Sequence, residues 1–103
     1  MNKGETMDSK TRANLRALAS KIDATVIVGK DGITENVLSQ ISMELDAKEL
    51  VKISVLSSDE DYKAMLNEIS TKLNAEPVCH IGKKLVVYRF SMKKKVKHVL
   101  QAN

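Results

Sequence analysis

The stretch Thr25-Val26-Ile27-Val28-Gly29-Lys30-Asp31-Gly32-Ile33-Thr34 joins a strand-like run to a helix-like run through a loop with a glycine at each end. The β-branched run Thr25–Val28 predicts a short strand covered on both faces. Gly29 and Gly32 lack a Cβ, so the loop can turn sharply and another backbone can come close to it. With Lys30 between the glycines and a helix N-terminus next, the loop offers N–H groups and one cation, which suits a phosphate. The plain alternative is a strand-to-helix turn that needs a positive φ.

Three helices are predicted by apolar residues that recur three or four positions apart. The first runs from about Lys10 to Ile22 behind the N-cap Ser9. The second runs from the N-cap Thr34 to about Ala47, and the third follows the cap Ser57-Ser58-Asp59 and runs to about Leu73. The stripes predicted to be buried are Leu15, Leu18, Ala19 and Ile22; Ile33, Val37, Ile41 and Leu45; and Tyr62, Leu66, Ile69 and Leu73.

Three further strands follow from alternation and from turn residues. Leu50–Leu56 alternates apolar with polar residues. Asn74-Ala75-Glu76-Pro77 then breaks the third helix before the next strand. Val78–Ile81 and Leu85–Phe90 form a hairpin around the turn Gly82-Lys83-Lys84. The order α-β-α-β-α-β-β, with two crossovers and a final hairpin, predicts a single compact α/β domain with a four-stranded mixed sheet. We divide the chain into a flexible leader (1–8), the domain (9–91) and a basic tail (92–103) with little to bury.

Composition narrows the class of protein. At 103 residues the chain supports one domain, and no apolar run approaches the roughly 20 residues of a membrane helix. The N-terminus has no apolar signal segment, and the single cysteine, Cys79, excludes an internal disulfide framework. We therefore expect a cytoplasmic protein that does not enter a membrane.

Charge is distributed unevenly along the chain. The net charge is +4, yet residues 83–103 carry seven basic and no acidic side chains, whereas residues 22–82 carry five basic and eleven acidic ones. A basic end on an acidic body is typical of a protein that binds a polyanion. A solvated tail is the alternative, and the charge pattern alone does not separate the two.

The sequence offers little for catalysis or for a cofactor. Cys79 is best interpreted as a small buried residue, and His80 and His98 have no companions at the spacing of a metal site. The glycine loop is not followed by the Lys-Ser/Thr pair of a nucleotide-binding loop. Only three aromatic residues are present, too few for a base-stacking platform. We expect no enzyme, no cofactor, no metal and no small-molecule substrate.

Four blocks of the sequence carry a resemblance to a known family, namely Leu15–Ala19, Val26–Glu35, Leu50–Ile53 and Ile81–Arg89. In these blocks, which occur in the family's order, the chain closely resembles the CRM-domain RNA-binding family in its stand-alone bacterial, YhbY-like form. The resemblance implies a fold similar to the C-terminal domain of translation initiation factor 3. It also implies RNA binding, and stand-alone bacterial members are associated with the precursor of the large ribosomal subunit.

The same resemblance assigns the family's GxxG loop to Gly29, Lys30, Asp31 and Gly32. Because Asp31 weakens the attraction of this loop for phosphate, flanking cations are expected to supply much of the affinity. Arg89 serves either a structural ion pair or a phosphate contact, and the other flanking cations are either solvated or in contact with RNA. The candidate RNA-binding residues are Gly29, Lys30, Asp31, Gly32, Thr34, Arg12, Arg16, Lys83, Lys84, Arg89, Lys93, Lys94 and Lys95.

Two functional hypotheses follow. The first is a non-catalytic protein that binds precursor large-subunit rRNA during ribosome assembly. The second is a protein-interaction module that docks on a ribosomal protein or an assembly factor, and it is motivated by the acidic middle helices.

Overall fold

Three helices and four strands follow one another in the computed structural model, which describes residues 8–57, 60–93 and 99. The predicted leader (except Asp8), Ser58, Asp59 and most of the tail lie outside these residues. The predicted order of elements is confirmed. The elements are α1 (Ser9–Ala19), β1 (Val26–Val28), α2 (Glu35–Lys48), β2 (Leu50–Val55), α3 (Tyr62–Leu73), β3 (Glu76–Ile81) and β4 (Lys84–Tyr88).

The sheet has the strand order β1-β2-β4-β3, and it is mixed as predicted. β1 runs parallel to β2, with Val26 opposite Ile53. β4 runs antiparallel to both of its neighbours, so that Val86 lies opposite Lys52 on one side and Cys79 on the other. The last strand in sequence therefore lies in the middle of the sheet, and β1 and β3 form its edges.

Helices cover both faces of the sheet unequally. α2 and α3 pack on one face through Ile41, Leu45 and Ile69, which are fully buried against the strands. α1 is the one described helix on the other face, where it packs through Leu15 and Ala19. A single helix cannot cover four strands, so part of this second face has no helix over it in the described part of the chain.

The helix caps combine one confirmed prediction with two corrections. Thr34 caps α2 as predicted, and its Oγ1 accepts a hydrogen bond from the Val37 N–H at 3.2 Å. α1 is capped by Asp8 rather than Ser9, and α3 by Asp61 rather than the predicted Ser57–Asp59 segment. In both corrections a carboxylate accepts the N–H three residues on, at 2.8 Å and 3.1 Å. Asp is as good an N-cap as Ser, so nearby polar residues make the start of a helix ambiguous in sequence.

Two burial predictions on the α1 side are wrong. Ile27 is 59% exposed, so β1 is covered on one face only, because α1 lies over the far end of the sheet. Leu18 of α1 is 37% exposed, and α1 ends at Ala19, three residues early, so that Ile22 lies half-buried beyond the helix. Pro77 lies within β3, where an edge strand tolerates the missing N–H.

Glu49 is fully buried directly after α2, with a positive φ of 69°. Its Oε2 accepts a hydrogen bond from the Ser91 N–H at 2.6 Å, and its Oε1 accepts one from the Val99 N–H at 2.9 Å. Its backbone carbonyl accepts the Arg89 N–H at 2.9 Å. Ser91, the last residue of the predicted domain, is therefore buried, and the expectation that the tail has little to bury is wrong at Val99, which is half-buried.

Arg89 connects two helices on the side of α2 and α3. Its guanidinium donates to the Leu73 carbonyl at the end of α3, at 2.8 Å. It also donates to the Ser42 carbonyl and hydroxyl, both at 3.0 Å, and forms an ion pair with Asp46 at 3.1 Å. Since the last carbonyls of a helix lack partners within the helix, Arg89 satisfies one of them while it ties α3 to α2.

We expect Glu49→Gln to lower the free energy of unfolding by about 1.5–3 kcal/mol, because the amide keeps the shape but leaves one buried N–H without an acceptor. Urea denaturation of the purified protein measures the loss. The control is Glu68→Gln, which removes an exposed ion pair with Lys72 and is expected to cost less than about 0.5 kcal/mol. A Glu49 variant as stable as the control would contradict the anchoring role.

Candidate nucleic-acid interface

The glycine loop forms a closed turn at the carboxyl end of β1. The Gly32 N–H donates to the Gly29 carbonyl at 3.1 Å, and Gly32 has a φ of +76°. Gly29 has no positive φ, so the backbone requires glycine at position 32 but not at position 29. A Cβ added at either glycine would meet nothing within 4 Å. The loop therefore has an open surface that another backbone can approach.

The β3–β4 hairpin lies at the same edge of the sheet as this loop. The Leu56 N–H donates to the Val28 carbonyl at 3.0 Å, and the Val55 N–H donates to the Lys83 carbonyl at 2.8 Å. β1, β2 and β3 run in the same direction, so their carboxyl ends lie at one end of the sheet. We call this end the carboxyl edge; it is formed by Gly29–Gly32 and Gly82–Lys83 and runs across the strands, unlike the edge strands β1 and β3. The structure thus brings together two of the segments predicted to contact RNA.

Charges within the glycine loop nearly cancel. Lys30 and Asp31 are both exposed, and Glu35 adds a second carboxylate in the first turn of α2. The hydroxyl oxygen of Thr34 accepts a hydrogen bond that caps α2, which gives Thr34 a structural role. The loop by itself is a weak attractant for an anion, and neighbouring elements must supply the positive charge.

Cations on the α1 side of the sheet supply part of that charge. The strand register places Ile27, Ser54, Lys84 and Ile81 in one row across all four strands, and α1 leaves this row uncovered. Ile27 and Ile81 are each 59% exposed, and Lys84 is exposed between them. We call this row the open sheet face. Lys52 lies half-buried in the next row towards α1.

Lys52 was not among the predicted site residues, although the alternation of β2 already placed it opposite the apolar side of the strand. Ile27 was also missed as a surface residue, since a continuous β-branched run gives no sign of which face is open.

Arg16 is exposed on α1 and lies beside the Cys79 thiol. Burial raises the pKa of Cys79, and the nearby Arg16 offsets only part of this effect. The thiol therefore stays protonated, which fits a packing residue better than a nucleophile. Arg12 is half-buried one turn earlier, against β3.

The remaining predicted site residues differ in their placement. For Arg89 the structure shows the structural ion pair, one of the two roles that the sequence left open. Lys93 is exposed on the opposite side of the sheet, near Met43 and Asp46 of α2. The predicted contacts Lys94 and Lys95 lie outside the described residues.

A groove of about 610 Å³ lies between the end of α1 and β2. Leu18, Ile22 and Leu50 line it, and Val99 of the C-terminal segment lies in it. Its lysines are Lys21, Lys48 and Lys52.

Within residues 8–57, 60–93 and 99, no three His, Cys, Asp or Glu side chains gather where they could hold a metal ion. No helix in that part of the chain is long and apolar enough to cross a membrane.

Comparisons with known proteins agree on one family. The CRS1/YhbY (CRM) domain matches residues 7–89. A protein of Haemophilus influenzae named as an RNA-binding protein is 35% identical over 92 residues, covering 88% of this chain and 93% of that protein. A probable RNA-binding protein of Bacillus subtilis is 33% identical over 90 residues, covering 86% of this chain and 94% of that protein.

The fold has a counterpart among solved structures. The solution structure of a hypothetical protein from Staphylococcus aureus superposes with a TM-score of 0.77 at 35% identity. The match covers 90% of this chain and 99% of that one. The names of the relatives describe RNA binding and no reaction, in agreement with the expectation of a non-catalytic protein.

We expect Gly32→Ala to lower the free energy of unfolding by about 1 kcal/mol, because its φ of +76° strains any residue with a Cβ. Gly29→Ala is the matched control and is expected to stay within about 0.5 kcal/mol of the parent. Urea denaturation checks both variants. Equal losses at the two glycines would show that the loop has a different backbone geometry.

Proposed function

The chain belongs to the CRS1/YhbY (CRM) domain family, and on this basis we propose that it is a non-catalytic protein that binds RNA along the carboxyl edge of its sheet. The observation that carries the proposal is the meeting of the glycine loop and the β3–β4 hairpin at one edge. The bare loop surface accepts a phosphate at close range, since no side chain shields the glycines.

Cations next to the carboxyl edge hold the rest of the RNA backbone. Lys83 and Lys84 extend the site from the hairpin, and Arg16 and Lys52 continue it beneath α1. Lys30 offsets the charge of Asp31 within the loop. In this arrangement the loop sets the position of the RNA and the cations supply the attraction, so binding is strongly reduced by salt.

We propose that the RNA is precursor large-subunit rRNA and that the protein acts in ribosome assembly in the cytoplasm. The resemblance to stand-alone bacterial members of the family supports this choice. Three aromatic residues in the whole chain favour recognition of a structured RNA by its backbone and shape over stacking on single-stranded bases. The tail lysines Lys93, Lys94 and Lys95 are proposed to add sequence-independent attraction.

The alternative is a module that docks on a ribosomal protein or an assembly factor. The acidic side chains of the middle helices α2 and α3 motivate this alternative on that side of the molecule. High salt combined with nuclease treatment separates the two modes, since an RNA contact is lost and a packed protein contact persists.

We expect Lys30→Ala/Lys83→Ala to weaken binding to a large-subunit rRNA transcript about tenfold at moderate salt. The slope of log K against log salt should become shallower by about one unit for each phosphate contact removed. Filter binding at several salt concentrations measures both quantities. The control, Lys72→Ala, removes a lysine that pairs with Glu68 at the far end of α3, and it should bind like the parent.

A companion variant, Gly29→Leu, separates the loop surface from the charges. Its side chain enters open space and is not expected to strain the fold, but it blocks the close approach of a phosphate. A stable Gly29→Leu protein that binds the transcript like the parent would refute the role of the loop.

Crosslinking in cells, followed by sequencing of the attached RNA, tests the proposed partner. We expect fragments of precursor large-subunit rRNA to dominate. Enrichment of small-subunit rRNA or tRNA instead would reject the proposed partner while leaving RNA binding intact.

A further inference from the structure

A cleft of about 330 Å³ opens at the outer edge of β3, between α1 and α3. Arg12 of α1 lies on one side, Lys63 and Asn67 of α3 lie on the other, and Pro77–His80 forms the floor. Three elements on two faces of the sheet thus direct basic or amide side chains into one space. None of the described residues that line this cleft is acidic.

The Arg12 guanidinium is the informative group in this cleft. Its Nε is buried and has no hydrogen-bond partner in the described part of the chain. A buried donor without an acceptor costs free energy, and such groups in native proteins call for an explanation. Arg89, the other partly buried arginine of the domain, shows the usual solution, since its guanidinium donates to two helices and pairs with a carboxylate.

Arg12 and Lys63 form no ion pair with another described residue. The ion pairs between described residues are Glu44–Lys48, Glu68–Lys72 and Asp46–Arg89, and none of them involves Arg12 or Lys63. Arg12 and Lys63 line the same cleft, so both side chains attract an anion that enters it. The terminal amino groups of a planar guanidinium can bind the oxygens of a phosphate in a two-point contact.

We propose that this cleft is a second phosphate-binding site for the RNA, in which Arg12 binds the phosphate and Lys63, His80 and Asn67 complete the pocket. The inference rests on the proposed RNA binding and extends the RNA contact from the carboxyl edge to the outer side of the edge strand β3. β3 lies three strand positions from β1, about 14 Å at the usual strand spacing. The RNA therefore runs from the glycine loop across the hairpin to this cleft.

The backbone of β3 favours RNA over a peptide as the occupant. A peptide could bind an edge strand by adding a strand to the sheet. Pro77 has no N–H to offer, and the ladder is irregular between Pro77 and Cys79. An edge interrupted in this way is a poor template for strand addition. Phosphate recognition needs only the side chains of the cleft.

Lys63→Gln is the first test, because Lys63 is exposed and its replacement leaves the packing intact. We expect about a fivefold loss of affinity for the rRNA transcript and a salt slope shallower by about one unit. Lys72→Gln, on the same helix but paired with Glu68, is the matched control and should bind like the parent. Arg12→Lys keeps the charge and removes the planar fork, and it should lose affinity to a similar extent.

Nuclear magnetic resonance of the parent protein with a short RNA hairpin gives a second measurement. The Arg12 Nε–Hε signal is expected to shift on addition of the RNA, while that of Arg89 stays in place. If Lys63→Gln and Arg12→Lys bind like the parent and the signal does not move, the cleft proposal is overturned. Loss of binding in Lys30→Ala/Lys83→Ala in the same assay would show that the proposed function still stands.

If the parent binds no RNA but an acidic peptide shifts the Arg12 signal, the cleft serves a protein partner and both proposals fall.

Discussion

One buried carboxylate, that of Glu49, joins parts of the chain that are far apart in sequence. It ends α2, accepts hydrogen bonds from Ser91 and Val99, and receives the N–H of Arg89 on its backbone carbonyl. A buried charge is tolerated only when its hydrogen bonds are satisfied, so the C-terminal segment has to return to this place. Arg89 then adds the end of α3 to the same junction. The basic end of the chain is thereby held to the folded body at Ser91 and Val99.

The proposed RNA surface depends on this arrangement of strands and not on a strongly basic loop. The sheet order gathers the glycine loop and the hairpin at the carboxyl edge, and the single helix α1 leaves the open sheet face next to it. Acidic residues are kept mainly to the helices of the opposite side and to the loop itself. A polyanion at the carboxyl edge is therefore attracted on the α1 side and repelled on the α2 and α3 side, so the charges orient it on the protein.

Local patterns predicted the elements well, because spacing and capping act within a few residues. The Thr34 cap, the alternation of β2 and the hairpin at Gly82 were all readable in this way. The exposure of Ile27 and the anchoring of Ser91 were not, and the sequence left two roles open for Arg89, since each depends on how separate elements pack against one another. The orphan Nε of Arg12 likewise has no sequence signal, because burial of a single atom is a property of packed neighbours.

The central place of β4 also bears on how the protein is made. β4 is the last strand to leave the ribosome, yet it lies between β2 and β3, which are synthesised earlier. Before β4 emerges, β2 can pair only with β1, and β3 has no neighbour in the sheet. Such long-range insertion is slow relative to local contacts. Folding of the sheet is thus delayed until translation of the domain is almost complete, and until then the nascent chain lacks the finished carboxyl edge that we propose as the RNA-binding site.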